Sequence, residues 1–423
     1  MPPERGPAPA YVLLTLAGLY FLQGLPSGLL AKAVPALARE AGLSTQWIGL
    51  LALAALPWAL KFLWAPWVDP GAGARAGHRL RWVAWAQLLV MALLLVLSLL
   101  ERPLWFGEAF PVLLLILFLI NLASATQDVA ADGLAVRWLR GDLRGLGNGI
   151  QVSGYKIGLI LSGGLFLIAN DLIGWRGSLW LLTVMIGVLL IGILRFPEPA
   201  EAAAPFPRRR GVLWWWQRSR DFWWRPGLLL WAVILLGYKV GDGFGTRMIK
   251  PYLVDQGWTL AAVGRLDLVA SLVGLLSALL AGVLMRRWHY RRALVGLGLW
   301  QGLAFVGWWW VARGDAGVPA IWAVSLFEQA ADGASTVALF VVMMAYCRSG
   351  SEGGDYTLQA SLQLMAVGLF TLAGGFSAGY FGYAGHFLLA ALLGCAVALL
   401  ALAWRPPLGP GVTGRYTGAP DHS

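Results

Sequence analysis

Twelve runs of mostly apolar residues, joined by connections that are mostly short, constrain this chain more than any other feature. They lie at 11–32, 47–68, 82–100, 109–137, 147–170, 175–195, 227–253, 261–285, 292–312, 318–346, 357–382 and 384–404. About 20 such residues cross a bilayer core, and backbone facing lipid has to be helical to satisfy its own polar groups. With 59% hydrophobic and 13% charged residues in 423, the composition lies outside the soluble globular range. The expected class is an all-α membrane protein of twelve transmembrane helices. The first run reads as a span and not as a cleavable signal, because its apolar core is long and no Ala-x-Ala site follows. Cys347 and Cys395 imply neither a disulfide framework nor a metal site, and no cofactor is expected.

The net charge of +11 has a source other than nucleic acid. Arginines crowd alternate connections: Arg75, Arg79 and Arg81; Arg137, Arg140 and Arg144; Arg208, Arg209 and Arg210; Arg286, Arg287, Arg291 and Arg292; Arg348. The remaining connections carry few basic groups, among them Arg102, Arg176 and Arg313. Positive loops stay in the cytoplasm, which puts both termini there and sets these arginines beside membrane lipids. The longest connection pairs the Pro/Ala-rich PEPAEAAAPFPRRR with WWWQRSRDFWW, a linker followed by an interfacial amphipathic segment. The expected organisation is an N-terminal six-helix bundle at 1–195, a cytoplasmic linker at 196–226, a C-terminal bundle at 227–404 and a cytoplasmic tail at 405–423.

The two halves share a motif. The fourth run reads DVAADG at 128–133, and the tenth reads EQAADG at 328–333. Asp128 matches Glu328 and Asp132 matches Asp332, each pair at the same ordinal position in its half, which points to duplication. A weaker echo sets Gly163-Gly164 against Gly374-Gly375.

A charge at bilayer depth costs several kcal/mol unless it is paired or hydrated, so ionisable residues inside spans are the functional candidates. They are Lys61, Asp128, Asp132, Lys156, Lys239, Asp242, Glu328 and Asp332. Helical spacing puts 128 with 132, 328 with 332, and 239 with 242 on common faces. Static clamps such as Lys239 with Asp242 are one reading. The other is that the five acids load and release protons, Asp128 and Glu328 foremost, while Lys156 and Lys239 hold an acidic group of a solute. Trp58, Tyr155 and Tyr238 could stack on a planar solute. Trp47, Trp105, Trp175, Trp258 and the run Trp308 to Trp310 fall near span ends, where tryptophan anchors at the interface.

The segments PWALKFLWAPWVD, Pro57 to Asp69, and ATQDVAADGLAV, Ala125 to Val136, resemble the AmpG-type branch of the major facilitator superfamily, which includes muropeptide permeases and acetyl-CoA transporters. The segment Leu19 to Ser44 leans toward the RhtX/FptX-like siderophore permeases of that branch. The resemblance implies a fold of two six-helix bundles. It also implies a bacterial inner-membrane permease that imports a bulky amphiphilic solute, a siderophore before a muropeptide, driven by protons, here taken as a monomer. Lys61, Gln127, Asp128 and Asp132 stand at matching positions. After the second run, Ala65 replaces the superfamily's usual Gly and Pro70 follows Asp69, so a cytoplasmic latch would rest on Asp69 with Arg75 or Arg79. An embedded transferase, the alternative of another class, would need several Asp-rich loops or an intramembrane histidine. His78, His289, His386 and His422 all fall in loops, at span edges or in the tail, so the chain is not expected to be an enzyme.

Overall fold

The structure, a computed structural model, describes residues 8–43, 47, 50–69, 75–139, 143–198, 212–225, 228–348 and 351–405. The tail beyond Arg405 and part of the linker therefore lie outside the described residues. Among those described, all regular structure is helical. Nine helices among the described residues are long and apolar enough to cross a membrane. Two of them, Leu143–Ile193 and Glu352–Leu400, run to 51 and 49 residues. At 1.5 Å per residue each is over 70 Å long, roughly twice what a bilayer core of about 30 Å needs. Each turns back at a glycine with a left-handed backbone, Gly174 at φ 73° and Gly382 at φ 68°. Only glycine adopts that conformation cheaply, and both fall where the sequence separates adjacent runs.

The second run is not a regular helix. Leu51–Ala55 and Lys61–Leu63 are 3-10 turns, and Leu56–Leu60 and Ala65–Val68 are short α-helices. Pro57 and Pro66 remove two backbone donors there and crowd the preceding turn. A second break divides the seventh run into Leu228–Gly237 and Val240–Asp255, with Lys239 at the residue just before the second piece. Counting the two reversals and the irregular second run, the described helices account for the twelve apolar runs.

The chain forms two compact units. The first gathers Met1–Trp138, Gly154–Arg210 and Cys347–Ser361; the second gathers Leu139–Ser153, Gly211–Tyr346 and Leu362–Ser423. In the first, the first and fifth spans touch backbone to backbone, because a Cβ on Gly24 or Gly158 would strike the other helix's main chain. The second holds an aromatic core in which Tyr252, Phe305, Trp308 and Phe387 are buried. Trp308 therefore packs inside and does not anchor at an interface, and the same correction applies to Trp105 and Trp175. Both are buried, and both donate an indole N–H to the carbonyl of Leu97, at 2.8 and 3.0 Å. A tryptophan near a span end has two outlets for its polar edge, headgroups or a helix terminus, and here a helix terminus is nearer. His386, expected at a span edge, is fully buried with its ring stacked on Phe244 at 4.6 Å.

Candidate functional site

The fourth-span helix, Phe110–Trp138, carries the first acid pair. Lys61 leaves the second span at its break, where the 3-10 turn begins, and its ammonium reaches both acids: it bonds Asp128 and stands 3.8 Å from Asp132. Gln23 of the first span donates to Asp128, and the Tyr20 hydroxyl donates to Asp132 at 2.8 Å. Gln127 accepts from Gln87 of the third span and donates to the Leu19 carbonyl at 3.2 Å. The ionic side chains are sealed, with exposures of 5% for Lys61, 7% for Asp128 and 2% for Asp132. One cation faces two acids, and neutral donors fill the remaining lone pairs, as a buried ion cluster requires.

The tenth-span helix, Val318–Tyr346, carries the second pair. Its cation is Lys239, which leaves the seventh span at the break before Val240. Lys239 stands 2.7 Å from Asp332 and 3.4 Å from Asp242, and it also donates to Gln301 at 2.9 Å and Ser335 at 3.2 Å. Asp332 and Asp242 are wetter than their counterparts, at 18% and 19% exposure. Glu328 is deeply buried, and its described partners are neutral: Thr246 at 2.9 Å and Gln329 at 3.0 Å. Thr246 Oγ1 also lies 2.9 Å from Asp242 Oδ1. A hydroxyl has one hydrogen to give. Both contacts are hydrogen bonds only when one of the two carboxyls itself carries a proton.

The other sequence-marked residues stand apart from these clusters or at their margins. Trp58 donates its indole N–H to Asn121 at 2.9 Å and lies 5.7 Å from the Lys61 ammonium. Tyr238 is buried, with its hydroxyl given to the Leu294 carbonyl at 2.9 Å. Tyr155 and Lys156 are half-buried on the fifth-span helix.

Asp69 forms a separate buried cluster. Its carboxylate accepts from Arg79 at 2.6 Å and from the backbone N–H of Gly353 at 2.7 Å, in the first turn of the eleventh-span helix. Arg75 is exposed. Glu198, which the sequence assigns to the linker, lies 3.6 Å from Arg79 and accepts from the backbone N–H groups of Arg79 and Leu80 at 3.2 and 3.1 Å. It thereby caps the third-span helix, whose first N–H groups have no partner within the helix.

Sequence reading missed the neutral half of both clusters: Tyr20, Gln23 and Gln87 in one, Thr246, Gln301 and Ser335 in the other. It also missed Arg247, which lies inside the seventh span and is exposed. The rule that marked the other in-span charges would have marked it too.

Comparisons with known proteins bear on the fold and on the relatives of this chain. The acetyl-coenzyme A transporter 1 family matches residues 11–173. The anhydromuropeptide permease of Escherichia coli K12 is 29% identical over 368 residues, covering 85% of this chain and 72% of its own. A putative transporter AmpG 4 of Rickettsia felis is 22% identical over 90% of this chain and 94% of its own. Among solved structures, the proton:xylose symporter XylE superposes with a TM-score of 0.74 at 12% identity, covering 96% of this chain and 97% of that one. The chain therefore has the fold of this solved transporter, and over most of its length its sequence is similar to permeases of the AmpG type.

Proposed function

We propose that the chain is a proton-driven permease that imports anhydromuropeptides across the bacterial inner membrane, with both termini in the cytoplasm. Similarity to the E. coli anhydromuropeptide permease over 85% of the chain carries the solute. The siderophore reading rests on Leu19 to Ser44 alone and takes second place. Proton coupling rests on the Asp242, Thr246 and Glu328 chain, which closes with one proton on it. Glu328 is the acid that holds this proton, because a buried carboxyl whose hydrogen-bond partners are neutral costs least as the neutral acid. Asp242 and Asp332 share Lys239, and Asp128 and Asp132 share Lys61, so these four act as counter-charges whose pairing changes with the transport cycle. Asp69, Arg79 and Glu198 hold the end of the third span, and with the first turn of the eleventh they form the cytoplasmic latch. The transporter works as a monomer.

Proteoliposomes holding the purified chain test this reading. An inward proton gradient should drive accumulation of a labelled anhydromuropeptide above its passive level, and a ferric siderophore should not compete. Accumulation that ignores the gradient would sink the coupling, and competition by the siderophore would restore the second reading. Tags at either terminus should report cytoplasm, and a tag at Gly107 should report periplasm.

A further inference from the structure

We infer that Arg247 is a binding residue for a carboxylate of the transported solute. The inference rests on the permease reading and names a contact that the reading does not supply. Arg247 is an exposed arginine inside a membrane-spanning helix, eight residues before its end at Asp255, so about 12 Å along the axis from that end. The other two cations of this helix are held by acids. Lys239 has Asp332 and Asp242, and Lys250 has Asp267 at 3.0 Å. Arg247 has no acid partner among the described residues. Its neighbour Thr246 bonds Glu328, so Arg247 sits at the depth of the buried acid and about 100° round the helix from it.

The surroundings leave room. Thr371 of the eleventh span donates to the Gly243 carbonyl at 2.9 Å, and a Cβ on Gly374 would lie 2.7 Å from the Phe244 carbonyl. The next turn of that helix, 375–379, is therefore level with Arg247. There Gly375 and Gly379 face open space. A guanidinium at bilayer depth without an acid is costly in lipid and cheap in water. Its planar fork matches a carboxylate with two parallel hydrogen bonds. We take the open space beside Arg247 as the solute path, and an arginine there with no acid partner among the described residues takes its acid from the solute.

The test uses the full chain in membranes. With Cys347 and Cys395 replaced by alanine, Arg247→Cys should react with a water-soluble, membrane-impermeant thiosulfonate, and an anhydromuropeptide should slow the reaction. A residue that faces lipid would not be labelled, and that result overturns the inference. Affinity is then compared for an anhydromuropeptide and for the same compound with its carboxylates converted to amides. Wild type should prefer the acid by about 10- to 150-fold, the range for hydrogen bonds to a charged group. Arg247→Gln should lose that preference and bind the amide as wild type does, and Arg247→Lys should keep part of it. Equal loss for both ligands would mark a structural role, and no loss for either would mark no role; each overturns the inference. If wild type binds neither ligand, the muropeptide reading fails, and labelling alone decides whether Arg247 faces water.

Discussion

The two acid pairs share a motif and differ in almost everything else. On the fourth span, one lysine from the second span spans both acids, and the ionic side chains are all but sealed from solvent. On the tenth, one lysine from the seventh span serves Asp332 and Asp242, both partly wet, while Glu328 is left with neutral partners. The second and seventh spans do not hold equivalent places in a six-plus-six repeat, so the lysines, unlike the acids, do not match across the halves. Even the shared glycines diverge. A Cβ on Gly133 would meet Arg79 and Asp69, whereas one on Gly333 would meet the Gly274 backbone. What the two sites have in common is a device: each lysine emerges where its helix is broken, at Lys61 and just after Gly237-Tyr238. In the proposed reading this difference separates the counter-charges of the sealed pair from the surplus acid, Glu328, which carries the proton.

The largest effect should come from breaking that surplus. Glu328→Gln keeps the shape and the neutral hydrogen bonds, so folded yield should stay near wild type while gradient-driven accumulation falls to the passive level and counterflow exchange persists. Asp128→Asn should behave differently, because it takes from Lys61 its nearer counter-charge and leaves Asp132 at 3.8 Å. Its first symptom should be lower folded yield. Driven uptake and yield, measured side by side, separate the two, and full accumulation by Glu328→Gln would remove that acid from the coupling.

Next in size are the lysines. Lys61→Ala leaves two buried acids uncompensated, which should cost about 3–5 kcal/mol of stability. Lys239→Ala also strands two acids, but these are about a fifth exposed, so solvent screens part of the loss and the cost should be smaller. Detergent-solubilised melting curves rank the two. Equal losses would mean that the contrast in burial does not carry through to energetics.

How much of this was legible follows from the same contrast. The acids and lysines announced themselves, because a charge inside an apolar run is rare and expensive. Tyr20, Gln23, Thr246 and Gln301 did not, because neutral polar residues are common in spans and only geometry shows which of them complete an ion cluster. The break at Lys61 was readable from Pro57 and Pro66. The one at Lys239 has only Gly237 before it. The expected Lys239 and Asp242 pair is present, yet the nearer acid is Asp332, because a helix neighbour three residues away competes with a partner facing from another helix. Glu198 lay in a stretch whose composition reads as linker, and nothing local marks it as a cap. Likewise, 143–153 are grouped with the second compact unit and 351–361 with the first, a grouping that no contiguous reading of the chain reveals.

The smallest expected effect is also the sharpest test of the comparison. Tyr20→Phe and Thr246→Val each delete one hydroxyl beside one carboxyl. If Asp132 is ionised against Lys61, the Tyr20 hydroxyl bonds a charged group and its loss should cost about 1.5–3 kcal/mol. If Glu328 rests as the neutral acid, the Thr246 bond is between neutral groups and its loss should cost only about 0.5–1.5 kcal/mol. The same deletion should therefore hurt the fourth-span site more than the tenth-span site at neutral pH. In the Glu328→Gln background the partner is neutral at every pH, so there the Thr246→Val cost should stay within the same range. Melting curves of both variants across pH decide this. A Thr246→Val cost that equals the Tyr20→Phe cost at every pH would mean that Glu328 is charged throughout, and the proton would then have to sit elsewhere.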